Sequence, residues 1–299
     1  MWLFLLAPWV LAWLTIPNLA QAYLSLPLSQ LLLPLFFGAG WGISQVLVGI
    51  SFVRVGMALT FAIVVGISAT MGTLVPLLTL QGGALLSAKG LAVLIGIIIM
   101  IAGVSLCGKA GRERERAQAA AGGVTQAKTG SSSYAASLAI TIVSGILTPM
   151  LNYALAFASP VLRKAVEQGA SHANAPYAVW LLALLGGMPA NVLYCIYLLN
   201  RNKTWAKFGA RSYDWAGAVL MGIMWMAALA LYGVGTTYLG PSGAALGWGL
   251  FSIFIVLAAN LSAVIVGEWR GVGKRPLRTL GLGLAVLTVA SVILIQGKS

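Results

Sequence analysis

Charge is scarce in this sequence, and negative charge is scarcest. Of 299 residues five are Asp or Glu, one is His and two are Cys, and charged residues of both signs make up 8%. A water-soluble domain carries about 25% charged residues. A content of 8% cannot cover the surface of a soluble body this large, which excludes a cytosolic globular enzyme, a disordered chain and a coiled coil. The five acids, Glu113, Glu115, Glu167, Asp214 and Glu268, fall in loops or at the ends of apolar stretches. They leave no carboxylate pair for general acid–base catalysis and no proton-carrying acid at mid-membrane depth. Cys107 and Cys195 have no paired spacing and read as small buried hydrophobes, and no His/Cys/carboxylate cluster could hold a metal. The glycines around 281–283 follow a helix and form no nucleotide loop. No catalytic residue, cofactor or metal is expected, and the chain is not read as an enzyme.

What the sequence has is apolar length. Hydrophobic residues make up 60% of the chain and the mean hydropathy is +0.95. Nine apolar stretches are separable, at 1–19, 32–53, 57–79, 89–107, 134–159, 176–199, 214–235, 242–266 and 279–296. Each is close to the ~20 residues of a helical crossing. Only helices and closed barrels cross a bilayer, and residues 91–102 lack the alternation of barrel strands. The expected fold is an all-α polytopic bundle of about nine transmembrane helices. The first stretch has neither a basic start nor a small-residue cleavage site, so it is not a signal peptide.

The net charge of +13 comes from 18 Lys and Arg against the five acids. Numbering the connections alternately divides these bases between two sides. One side holds Lys89, Arg163, Lys164 and Lys298, and the other holds the remaining fourteen. That asymmetry assigns the fourteen to the cytoplasm, Met1 with them and Ser299 outside. The positive charge then faces anionic lipid, and nucleic acid is not needed to explain it. The longest connection, 109–133, opens with a GRERER run and continues rich in Ala, Gly, Ser and Thr, which reads as a flexible linker. It separates a first half, 1–108, from a second, 134–299, within one membrane domain. Four spans then face five, which resembles two inverted five-helix repeats with the first helix absent. Residues 90–94 and 283–287 both read Gly-Leu-Ala-Val-Leu, in the last span of each half.

Neutral polar and aromatic residues within the spans are the candidate solute contacts. Trp41 and Gln45 lie at i, i+4 on one face. Trp41 reads as packing before it reads as a contact, and Gln45 as a contact or an interhelical hydrogen bond. Asn152 and Tyr153 follow Pro149, whose missing N–H frees a carbonyl. Gly186-Gly187-Met188-Pro189 precedes Asn191 and Tyr194, and such a mid-span interruption marks either a broken transport helix or a close helix crossing. Trp225, and Trp248 with Ser252 at i, i+4, complete the set. Sugars present C–H faces to aromatic rings and hydroxyls to amides, so this lining suits a sugar. Glu268, beside Arg270 and Arg275, reads first as an ion pair pinning a helix end. His172, in an outer connection, reads first as a solvated histidine. Both are kept as proton-coupling candidates.

Three segments carry a resemblance. They are residues 36–56 with Trp41-Gly42, Gly49 and Arg54, residues 66–78, and residues 267–283 with Glu268-Trp269 and Arg275-Pro276. The pattern resembles the bacterial L-rhamnose–proton symporter family of the drug/metabolite transporter superfamily, over almost the whole chain. The resemblance implies an inner-membrane secondary transporter of ten helices, moving L-rhamnose or a related deoxysugar with protons by alternating access. The family's first helix has no counterpart here, so a late start or a shorter variant is expected. The stretch 241–248 lacks a Tyr-Asp-Tyr-like segment, which leaves the particular deoxysugar open. The alternatives are a facilitator or exporter of another small metabolite, and a membrane sensor or scaffold that transports nothing.

Overall fold

The computed structural model describes residues 2–80, 82–83, 87–120, 134–209 and 212–298. They form α1 (Trp2–Thr15), α2 (Leu19–Leu24), α3 (Leu28–Val55), α4 (Met57–Leu80), α5 (Ala88–Ala120) and α6 (Tyr134–Leu147). α7 (Met150–Ala156), α8 (Ser159–Glu167), α9 (Pro176–Asn202), α10 (Ser212–Tyr238), α11 (Gly243–Val266) and α12 (Lys274–Ile295) follow, with no strand among the described residues. Eight stretches are long and apolar enough to cross a bilayer: α3, α4, α5, the α6–α8 run, α9, α10, α11 and α12. α1 is apolar but has 14 residues, fewer than a crossing needs. It stops where Pro17 disfavours helical geometry at the preceding residue.

Two local expectations change. The GRERER run is helix rather than linker, because α5 continues through it to Ala120. Arg, Glu, Gln and Ala are good helix formers, and tertiary bonds hold this extension. Glu115 Oε1 accepts from the Ala58 N–H at 3.0 Å, at the start of α4, and Arg114 pairs with Glu268. The rest of the expected linker, 121–133 with Lys128, lies outside the described residues, as does Arg211. The second change concerns proline. α9 runs unbroken through Gly186-Gly187 and Pro189, whereas the helix breaks at Thr148–Pro149, between α6 and α7. Packing decides between the two sites. The α9 glycines bare the helix to close contact with α3, and the helix continues past its proline.

The chain divides into two compact units, one of Met1–Val46 with Met150–Tyr238, the other of Leu47–Pro149 with Leu239–Ser299. Each takes helices from both sides of residues 109–133, so the units do not follow the sequential halves. In the first unit α3 crosses α9 at backbone contact. A Cβ on Gly38 would overlap the Ala183 carbonyl oxygen, one on Gly42 the Gly187 carbonyl, and one on Gly186 the Leu35 carbonyl. Apolar lipid supplies no hydrophobic drive between helices, so such small-residue contacts supply van der Waals attraction instead.

In the second unit α5 and α12 pair antiparallel. Val93 meets Gly297, Gly96 meets Leu294, Gly103 meets Leu287 and Cys107 meets Gly283. Every step forward on α5 is matched by an equal step back on α12, so the register does not slip. Buried Val93, Ile97, Met100, Val104 and Cys107 on α5 face Leu280, Gly283, Leu287, Ala290 and Leu294 on α12. Both sets alternate three and four residues apart, the spacing of a coiled-coil seam.

Candidate functional site

The first unit holds most of the candidate contacts. Trp41 on α3 stacks on Trp225 of α10, ring centroids 5.7 Å apart and 28° from parallel. The bare Gly187 leaves room for the Trp41 ring, since a Cβ there would stand 2.9 Å from Cε3. Asn191 donates from Nδ2 to the Gly42 carbonyl at 3.1 Å and the Gly187 carbonyl at 3.0 Å. One amide thereby bridges α3 and α9 beside the stacked indoles. Gln45, one turn beyond Trp41, is half-buried and has no hydrogen-bond partner among the described residues. Tyr194 is half-buried and stacks on Tyr197 at 6.2 Å.

A second group lies on the same helices and on α7. Asn152 is fully buried, and its Oδ1 accepts from the Tyr232 hydroxyl. The Tyr232 ring lies 5.9 Å from that of Trp180. Tyr153, also buried, meets Phe37 edge-on at 5.8 Å. Phe37 and Trp41 are one turn apart on α3, and Trp225 and Tyr232 two turns apart on α10. These spacings return to one helix face and join the groups into one aromatic and amide ladder. Sequence reasoning missed Phe37, Trp180 and Tyr232. The seven-residue step from Trp225 was a signal for Tyr232. Trp180 is fully buried.

In the second unit Trp248 and Ser252 make hydrogen bonds within the protein. The Trp248 indole donates to the Ser68 carbonyl at 3.1 Å and lies over the bare Gly72. Ser252 Oγ donates to the Trp248 carbonyl at 2.8 Å. Glu268 pairs with Arg114, Nη1 to Oε2 2.7 Å, and not with the sequence-adjacent Arg270 or Arg275. Gln118 donates to the Glu268 carbonyl at 3.1 Å, and the Arg114 guanidinium lies 5.1 Å from the buried Trp269 ring. These groups sit at the end of α11, which Gly267 closes at φ +87°, a conformation that costs glycine little. Arg114, Glu268, Trp269 and Asn260 border a cavity of about 310 Å3 between α4, α5 and α11. Arg114 was missed because its run reads as linker. His172 is exposed in the turn before α9.

These features define a multi-pass α-helical membrane protein with uncharged aromatic and amide side chains gathered inside its helices. The chain belongs to the L-rhamnose-proton symport protein (RhaT) family, which matches residues 1–299. It is similar to the L-rhamnose-proton symporter of Citrobacter koseri, 27% identical over 99% of this chain and 86% of the relative. The symporter of Mannheimia succiniciproducens is 28% identical over the same shares. That of Escherichia coli O1:K1 is 27% identical over 96% of this chain and 84% of its own length. No solved structure matches.

Proposed function

We propose that this chain is a proton-coupled symporter of L-rhamnose or a closely related deoxysugar in a bacterial inner membrane, and not an enzyme. The observation that carries the reading is the family match across all 299 residues. The site chemistry agrees with it. A deoxysugar has a methyl-bearing apolar face for an indole and a hydroxyl edge for an amide. Trp41, Trp225, Gln45 and Tyr194 are the side chains proposed to line its path. Asn152, Tyr153 and Asn191 set the geometry behind them, and Trp248 and Ser252 hold α11 against α4. Glu268 is the acid proposed to couple protons, with Arg114 its counter-ion; His172, exposed in its turn, is the second candidate.

The fourteen-to-four division of basic residues supports a cytoplasmic side for the connections that carry the fourteen, Arg54 between α3 and α4 among them. Inversion of the two halves is supported by the antiparallel packing of α5 on α12, the last span of each half. The test is uptake of radiolabelled L-rhamnose into vesicles carrying the protein, with and without an imposed pH gradient. Accumulation driven by an acidic exterior is expected. Failure to move any sugar overturns the reading, and uptake indifferent to the gradient overturns the coupling alone. Trp225→Ala and Gln45→Ala are expected to raise the KM for rhamnose while the protein still inserts. Unchanged kinetics in both would remove them from the path.

A further inference from the structure

The second unit has a larger cavity that the transport reading does not use. It measures about 930 Å3 and runs along α4, α5 and α6, at the upper end of the range of ligand pockets. Its wall is apolar, with Ile63 and Ile67 on α4, Ile101 on α5, and Leu138 and Ile142 on α6. Ile101 and Ile142 are 40% and 39% exposed, so the groove opens sideways, away from the helices. One end is basic. Lys109, Arg112 and Arg116 line the cavity from successive turns of α5 and are exposed.

The charge balance at that end is not neutralised by the protein. Among the described residues, Lys109, Arg112 and Arg116 form no salt bridge. The chain has only five acids. Glu268 is held by Arg114, Glu167 by Lys164 and Glu115 by the Ala58 N–H. Glu113, the one acid on the groove, has Oε1 3.9 Å from Arg275, which leaves three unpaired bases there. An apolar groove open to the side on membrane-spanning helices, with unpaired cations at one end, matches a molecule with a hydrocarbon chain and an anionic head.

We propose that this groove is a binding site for an anionic phospholipid. The acyl chain lies along Ile63, Ile67, Ile101, Leu138 and Ile142, and the phosphate lies among Lys109, Arg112 and Arg116. The site depends on neither the sugar nor the direction of transport. A free phosphate could satisfy the bases but leaves the apolar wall unexplained. The GRERER extension of α5 thereby acquires a second role, presenting Arg112 and Arg116 at the mouth while Arg114 and Glu115 anchor neighbouring segments.

The test is native mass spectrometry of the delipidated full chain titrated with phosphatidylglycerol, phosphatidylcholine or inorganic phosphate. The parent is expected to retain phosphatidylglycerol over phosphatidylcholine. The double variant Arg112→Gln/Arg116→Gln is expected to lower that retention roughly tenfold. Gly66→Leu fills the groove without altering charge, and nothing stands within 4 Å of a Cβ at that position. It too is expected to lower retention, so the proposal stays testable if one variant fails to fold. Lys274→Gln/Arg278→Gln removes two exposed bases outside the groove and is expected to change nothing. Equal retention of both lipids by the parent overturns the proposal. So does an equal loss in the Lys274/Arg278 variant, which would signal diffuse adsorption, or displacement of the lipid by inorganic phosphate alone.

Discussion

The two compact units pack their helices by different means. In the first, α3 and α9 meet backbone to backbone, with glycines set against carbonyl oxygens. In the second, α5 and α12 meet through leucine side chains seated over glycines, at a repeat of three and four. A backbone contact has no side chain that can give way, whereas a leucine can turn or shift. Polar chemistry divides the same way. Trp41, Gln45, Asn152, Tyr153, Asn191, Tyr194 and Trp225 lie in the first unit, and Trp248 and Ser252 in the second. The more rigid crossing thus supports the groups proposed to meet the solute, as placement within fractions of an ångström requires.

One added methyl group in each unit separates the two kinds of helix contact. Gly38→Ala must push α3 off α9 and is expected to cost about 3 kcal/mol or more, read as loss of monodisperse protein and a lowered melting temperature. Gly103→Ala meets Leu287 Cδ2 at 2.8 Å and is expected to cost about 1–2 kcal/mol. Equal losses would erase the distinction. Trp248→Phe tests the division of polar chemistry. It removes the donor to Ser68 and leaves space over Gly72, for about 1–3 kcal/mol of stability, with the KM for rhamnose unchanged. Trp225→Ala is expected to show the reverse weighting in paired melting and uptake measurements.

Smaller effects sharpen the picture. Tyr232→Phe takes away the hydroxyl bonded to the buried Asn152 and is expected to cost about 1 kcal/mol in a thermal melt. Arg114→Gln loses an ion pair to a half-exposed carboxylate and a cation–π contact, about 1 kcal/mol together. Loss of gradient-driven uptake without loss of fold in that variant would assign the coupling to Glu268. Lys164→Ala breaks an i,i+3 ion pair on α8 to a half-exposed carboxylate and is expected to leave both melting and uptake unchanged.

Most helix limits were legible because apolar runs have clear ends. The span read at 57–79 is Met57–Leu80, and that read at 242–266 is Gly243–Val266. What was not legible depended on distant partners. Pro149 and Pro189 look alike in sequence, yet the helix breaks at the first and passes the second, where α3 packs on the neighbouring glycines. Residues 111–116 have a linker's setting, yet Ala58 and Glu268 draw them into a helix. Trp248 and Trp225 are both tryptophans within apolar spans. The first spends its donor on Ser68, 180 residues away in sequence, and the second stacks on Trp41 within its own unit.

By itself the sequence determined the membrane class, most of the spans and the imbalance of basic residues, because bilayer thickness and the cost of burying charge act on local composition. The tertiary structure alone decided how the helices divide into units and which polar groups are consumed within them. A hydrogen bond or a glycine contact is set by the partner that folding brings alongside, and no local pattern records that partner.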